Sequence, residues 1–160
     1  MNYETTNEIE TAIARYFDPR RNVIVPNVWW GLDLLHECDL FILTKSGYAY
    51  EVEIKTSSSD LRRDILKPHG HKSKKLRRLY FAIPLKLLES NRELMPEHAG
   101  ILTVNERGIV KKEREAKINK EAVPLSLEYQ IKLGHLAAMR IWPLKRDVKR
   151  LIKIINDSKG

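Results

Sequence analysis

Residues 39–55 leave this chain few ways to fold. Asp39 to Thr44 is a largely apolar run, and Lys45-Ser46-Gly47 is a turn. Tyr48 to Lys55 then alternates: Tyr48, Tyr50, Val52 and Ile54 point one way, while Ala49, Glu51, Glu53 and Lys55 point the other. Two strands joined by a tight turn are predicted. Glu53 and Lys55 are two residues apart, so both side chains leave the same face. If the strands pair, Asp39 lies beside Glu53.

The flanking sequence supplies the rest of a sheet and its cover. Residues 5–17 read as a helix with Ile9, Ala12, Ile13, Tyr16 and Phe17 on one face. Thr5 and Glu8 have capping-box spacing, and Asp18-Pro19 ends the helix. Val23 to Trp29 is another extended segment, with Trp29 and Trp30 read as core or interface aromatics. Ser57 to Asp60 provides N-cap residues for a helix near 60–67, which Lys67-Pro68-His69-Gly70 breaks.

Residues 71–78 are very basic and read as helix or loop. Leu79 to Ile83 is a short apolar strand, and Pro84 starts a helix over 84–90. Ile101–Val104 and Ile109–Lys111 flank the turn sequence Asn105-Glu106-Arg107-Gly108, and a hairpin is predicted. Residues 112–121 read as an exposed connection. A helix over 125–141 is expected to stop at Trp142-Pro143, and a basic amphipathic helix to occupy 144–156. This order predicts an α/β fold, a mixed central sheet flanked by helices, in a single domain across 1–160.

Composition narrows the setting. No stretch approaches the roughly 20 apolar residues that span a bilayer, so no membrane partner is expected. Met1-Asn2-Tyr3-Glu4 lacks the basic start and apolar core of a secretion signal. Cys38 is the one cysteine, which excludes an internal disulfide and a multi-cysteine zinc site. A reducing, cytoplasmic location fits, nucleoid-associated or free. Lys plus Arg number 29 against 21 Asp plus Glu, a net charge of +8 that suits a polyanionic partner but also describes many ordinary surfaces.

The chemistry is concentrated at Asp39, Glu53 and Lys55. Charges on a face otherwise coated with apolar residues are costly without partners. A hard divalent ion between Asp39 and Glu53 removes that cost, and Mg²⁺ suits oxygen ligands, water and phosphate. Lys55 can then orient or deprotonate water, or offset charge in a phosphorane-like transition state. The same spacing also describes a solvated strand face with cross-strand ion pairs. Two neighbours weigh against that: the strand around Asp39 is otherwise apolar, and the basic run follows soon after Lys55.

An apolar strand with Asp39, a turn, then Glu53-x-Lys55 resembles the PD-(D/E)XK nuclease superfamily. The longer run Glu37 to Leu43, Tyr50 to Ser57, Asp60-Leu61, Asp64, Lys67 and Leu79 to Pro84 is similar to the MmcB-like DNA-repair family within it. The Gly100-Ile101-Leu102 strand and the Leu136-Ala137-Ala138 helix fit the same layout, so the resemblance covers roughly residues 20–142. It implies a restriction-endonuclease-like core of α-β-β-β-α-β order, and Mg²⁺- or Mn²⁺-dependent cleavage of DNA phosphodiesters or a repair role on that fold. By position, Asp39 and Glu53 are the implied metal ligands and Lys55 the catalytic lysine. Cys38 stands where the motif's proline is usual. Many members add a glutamate from the first helix, for which Glu10 is the better candidate because Glu8 can be occupied by the cap.

Residues 62–78 carry Arg62, Arg63, Lys67, Lys72, Lys74, Lys75, Arg77 and Arg78 against Asp64 alone. Beside a nuclease site they form an expected DNA-backbone surface lining its mouth. Glu51 shares the face of Glu53 and either approaches the metal or pairs with a lysine. His69 and His71 flank Gly70 and lack a third zinc ligand, so a phosphate-contacting loop is expected. Lys145, Arg146, Lys149, Arg150 and Lys153 share one side of the last helix and either grip duplex or face solvent. Cys38 is expected on the opposite side of its strand from Asp39, in a packing role.

The leading expectation is a metal-dependent DNA endonuclease for repair or mobile-element processing. Two-strand cleavage needs two sites, which a homodimer would provide. The alternatives are a non-catalytic nucleic-acid-binding module on the same fold, and a subunit whose basic helix docks on an acidic protein.

Overall fold

The computed structural model describes residues 5–29, 32, 34, 36–66 and 73–158. Six strands form one sheet in chain order: β1 (Val23–Val28), β2 (Cys38–Leu43), β3 (Ala49–Ile54), β4 (Leu76–Pro84), β5 (Gly100–Val104) and β6 (Val110–Arg114). β1–β2–β3 is an antiparallel meander, β3, β4 and β5 run parallel, and β6 returns antiparallel. Among the described residues four α-helices accompany it: α1 (Thr6–Tyr16), α2 (Ser58–Ile65), α3 (Leu88–Asn91) and α4 (Leu127–Asp157). This is the expected α/β fold with a mixed, helix-flanked sheet.

Period-two burial assigns the faces. Leu40, Ile42, Val52, Ile54, Tyr80, Ala82 and Leu102 point toward α1, where Ile9, Ala12 and Ile13 complete a core. The opposite face is covered in two parts. Phe41, Leu43 and Ala49 meet Leu125 and Leu133 from the α4 region. Phe81, Ile83 and Ile101 meet Leu61 of α2, with Leu88 and Met95. The predicted capping box at α1 forms: the Thr5 hydroxyl accepts from the Glu8 N–H, and the Glu8 carboxylate accepts from the Thr5 N–H.

Gly100 sits where β5 begins beside Tyr80. A Cβ there would come within 2.3 Å of the Tyr80 ring and 2.8 Å of the Ala116 backbone nitrogen. The Tyr80 hydroxyl donates to Glu115, which ties down the ring. Gly100→Ala is therefore expected to lower stability by about 1–3 kcal/mol, the usual cost of overpacking, read as a lower urea midpoint with unchanged slope.

Several boundaries differ from the sequence reading. Residues 76–78 are strand: Leu76 is buried against Ala49, while the Arg77 and Arg78 guanidiniums lie over the rings of Tyr48 and Tyr50. Residues 112–114 belong to β6 because Thr103, Leu102 and Ile101 continue the ladder. The helix expected over 84–90 is broken into a 3₁₀ turn, the single turn of α3 and a second 3₁₀ turn. The break expected at Trp142-Pro143 does not occur; α4 continues through Pro143. Proline forfeits one backbone bond, while the helix-favouring residues beyond it propagate the rest. The distal half of α4 exposes Ile141, Leu144, Val148, Leu151 and Ile155 beside its lysines and arginines. Trp29 is 61% exposed and is not a core residue. Among the described helices none is long and apolar enough to cross a membrane.

Candidate functional site

β2 and β3 bring the three motif residues together. The register pairs Leu40 with Val52 and Phe41 with Glu51, which sets Asp39 level with Glu53. Lys55 leaves the end of β3 on the Glu53 side and is held in place by its N–H donating to the Ala82 carbonyl of β4. Its Nζ lies 2.7 Å from Glu53 Oε2, 3.2 Å from Asp64 Oδ1 and 3.7 Å from Asp39 Oδ2. Glu53, Lys55 and Asp64 are buried, and the Asp39 side chain is 31% exposed at the rim. Asp39 Oδ2 also accepts from the Ile54 N–H at 2.7 Å, which fixes the carboxylate against β3.

Asp64 is a site residue to which the sequence resemblance assigned no role. It lies three residues after Leu61 on α2, and both are buried on the helix side that meets the sheet. A lone acid at that spacing inside a basic run was the available signal. The Ser57 cap places this helix: its hydroxyl accepts from the Asp60 N–H.

Glu10 reaches the same neighbourhood. Burial and then the Asp39 charge raise its pKa above the ordinary carboxylate value, with Arg140 opposing. Arg140 comes from α4 and donates to the Asn27 carbonyl.

Glu51 is fully buried and pairs with His36, and Cys38 joins them. Cys38 has the buried packing place expected of it, and its thiol also lies near Glu51. Asn27 adopts a left-handed φ of 48° between the Pro26–Leu40 and Val28–Cys38 pairs, opposite Asp39. Cys38 packs on the Phe41 and Leu43 side. Burial first, then the nearby Glu51 and Glu53 charges, push the Cys38 thiol pKa up.

The electrostatics follow from crowding acids around one lysine. Burial, then Asp39 and Glu51, push the Glu53 pKa from 4.5 up to about 8 against the opposing pull of Lys55. Burial alone would lower the Lys55 pKa, but Glu53, Asp39 and Asp64 outweigh it and hold it above the ordinary lysine value. Between pH 4.5 and about 8 folded Glu53 keeps a proton that the unfolded chain has released. Stability of the metal-free protein is therefore expected to fall as pH rises through that window. Thermal melts in chelator from pH 5 to 8 check this, and Glu53→Gln should flatten the dependence.

The arrangement suits a hard divalent ion. Glu53 Oε1 is buried and has no hydrogen-bond partner among the described residues. The distances of 2.7 and 3.7 Å to the shared Lys55 Nζ bound the separation of Glu53 Oε2 and Asp39 Oδ2 at 6.4 Å. Two carboxylates this close fit one ion with oxygen–metal distances of about 2.1 Å after small side-chain adjustment.

The basic residues do not gather at this mouth as expected. Arg62 and Arg63 lie exposed on α2 near Asp64, Arg63 beside Asp60 at 3.5 Å. Lys74, Lys75, Arg77 and Arg78 lie at the other end. The parallel return of β4 sets Leu76 beside Ala49 and Phe81 beside Glu53, so the run enters the sheet about 13 Å from Glu53 at ~3.3 Å per residue. Arg78 is spent on Glu115 and the Ala116 carbonyl, and Lys75 on the Leu32 carbonyl and the Tyr129 ring. Lys67, Lys72, His69, His71 and Trp30 lie outside the described residues.

No protein-family model matches the chain, and no curated protein matches it. A solved structure does: the SPO1766 protein of unknown function from Silicibacter pomeroyi superposes with a TM-score of 0.60 at 20% identity, over 95% of this chain and 91% of that one. That likeness shows the fold.

Proposed function

We propose that the protein is a divalent-metal-dependent DNA endonuclease of the PD-(D/E)XK type. The observation that carries the reading is the buried Lys55 held among Asp39, Glu53 and Asp64 beside the β2–β3 hairpin, with one Glu53 oxygen that has no hydrogen-bond partner among the described residues. Asp39 and Glu53 would hold Mg²⁺ or Mn²⁺, with Glu10 from α1 as a further ligand. When bound, the ion supplies Lewis acidity and a water of lowered pKa. Lys55, whose pKa its carboxylate neighbours hold above the ordinary lysine value, would present positive charge to the scissile phosphate. Arg62 and Arg63 on α2, and Arg140 on α4, flank the site as backbone contacts.

Nicking of supercoiled plasmid tests this. Cleavage is expected with Mg²⁺ or Mn²⁺, none with chelator, and none for Asp39→Asn, which should still bind DNA. Failure of the folded protein to cut any DNA form with either ion overturns the reading.

A second reading, a nucleic-acid-binding module without catalysis, draws on one observation. A groove of about 450 Å³ at the start of β4 is lined by Lys74, Arg77, His98 and Lys117. Salt-sensitive DNA binding weakened by Lys74→Glu and untouched by Asp39→Asn, in a protein that never cleaves, would favour it.

A further inference from the structure

A second cluster of metal-donor side chains lies behind the carboxylate–lysine site. His36, Cys38 and Glu51 each offer one donor atom, and the three atoms lie within 4.8 Å of one another. The side chains of His36 and Glu51 are 8% and 0% exposed, and Cys38 is 0% exposed. One donor precedes β2, one opens it, and one stands in the middle of β3, so two of the three are fixed by the sheet ladder. We propose that this cluster is a zinc site, separate from the hard-ion site at Asp39 and Glu53.

The donor set argues for the metal. Nitrogen, sulfur and carboxylate oxygen together suit Zn²⁺; Mg²⁺ and Ca²⁺ take oxygen. Zinc–ligand distances of about 2.0–2.3 Å put donors roughly 3.5 Å apart in a tetrahedron. The cluster reaches that spacing by small rotations: the His36–Glu51 pair opens slightly and the thiol closes in. A dication among His36, Cys38 and Glu51 would offset the charges of the Glu51 carboxylate and the thiolate together. On binding, the Cys38 thiol releases its proton to solvent and sulfur takes the metal.

The consequence is structural and local. The ion would tie the segment before β2 to β3 immediately beside Asp39, fixing the strand start that carries the outer carboxylate of the neighbouring site. The inference does not depend on the nuclease reading, since the two sites share no ligand.

Co²⁺ titration of the metal-stripped full-length chain tests it. One Co²⁺ per chain is expected to produce a thiolate-to-Co²⁺ charge-transfer band in the near ultraviolet, displaced by Zn²⁺. Cys38→Ser should abolish the band, while Asp39→Asn should keep it. If Cys38→Ser does not fold, Glu51→Gln serves: competition with a chelator should show Zn²⁺ binding weakened at least as much as the roughly 10- to 100-fold found for outer-shell partners. No band from the folded wild-type chain, a band that survives in folded Cys38→Ser, or unchanged Zn²⁺ affinity in folded Glu51→Gln overturns the proposal.

Discussion

Lys55→Met will destabilise the metal-free protein by about 3–5 kcal/mol at neutral pH, the range for removing one partner of a buried ion pair. Methionine keeps most of the side-chain volume, so the loss is electrostatic. The lysine ammonium is the cation that Glu53, Asp64 and Asp39 share at 2.7, 3.2 and 3.7 Å. Without it, the carboxylates that remain charged while Glu53 holds its proton must take up protons themselves or stay ionised in a poor dielectric. The deficit should shrink at pH 5, where protonation becomes easier. Mn²⁺ should recover part of it, because a dication between Asp39 and Glu53 replaces the lost charge. Denaturant melts of both proteins, with and without Mn²⁺, measure this. A variant as stable as wild type at pH 7 would mean that the cluster is solvated.

Glu53→Gln separates function from stability. It removes a carboxylate whose pKa is pushed up to about 8 by burial and by Asp39 and Glu51. The metal-free variant should therefore melt higher than wild type at pH 8 and alike at pH 5, where folded Glu53 already holds its proton. The same change removes a ligand oxygen. Metal-dependent cleavage is expected to fall at least roughly 10²–10³-fold, the scale on which lost electrostatic stabilisation of a transition state is felt. A more stable but inactive protein is the signature of a site that stores electrostatic cost for its chemistry. Activity that survives Glu53→Gln would remove Glu53 from the metal.

The hairpin that carries the site was legible in the sequence because two local signals agreed. Strict alternation from Tyr48 to Lys55 fixed which side chains share a face, and Lys45-Ser46-Gly47 fixed the turn, where Gly47 takes a φ of 80°. What escaped was set by tertiary geometry. Asp64 joins the site only because the turn after Lys55 lays α2 against the same face. Cys38 and His36 meet Glu51 between β2 and β3, a contact that alternation within either strand does not show. The basic run looked adjacent to Lys55 along the chain, but a parallel crossover returns it to the far end of β3. Pro143 signalled a helix end that the surrounding helix overrode.

The central claim is that Asp39 and Glu53 hold one hard divalent ion. Mn²⁺ titration by calorimetry, on wild type, Asp39→Asn and Cys38→Ser, tests it most directly. Wild type and Cys38→Ser should bind one Mn²⁺ per chain with matching affinity, and folded Asp39→Asn should not bind it. No Mn²⁺ binding by folded wild type, or binding unchanged in Asp39→Asn, would contradict the account.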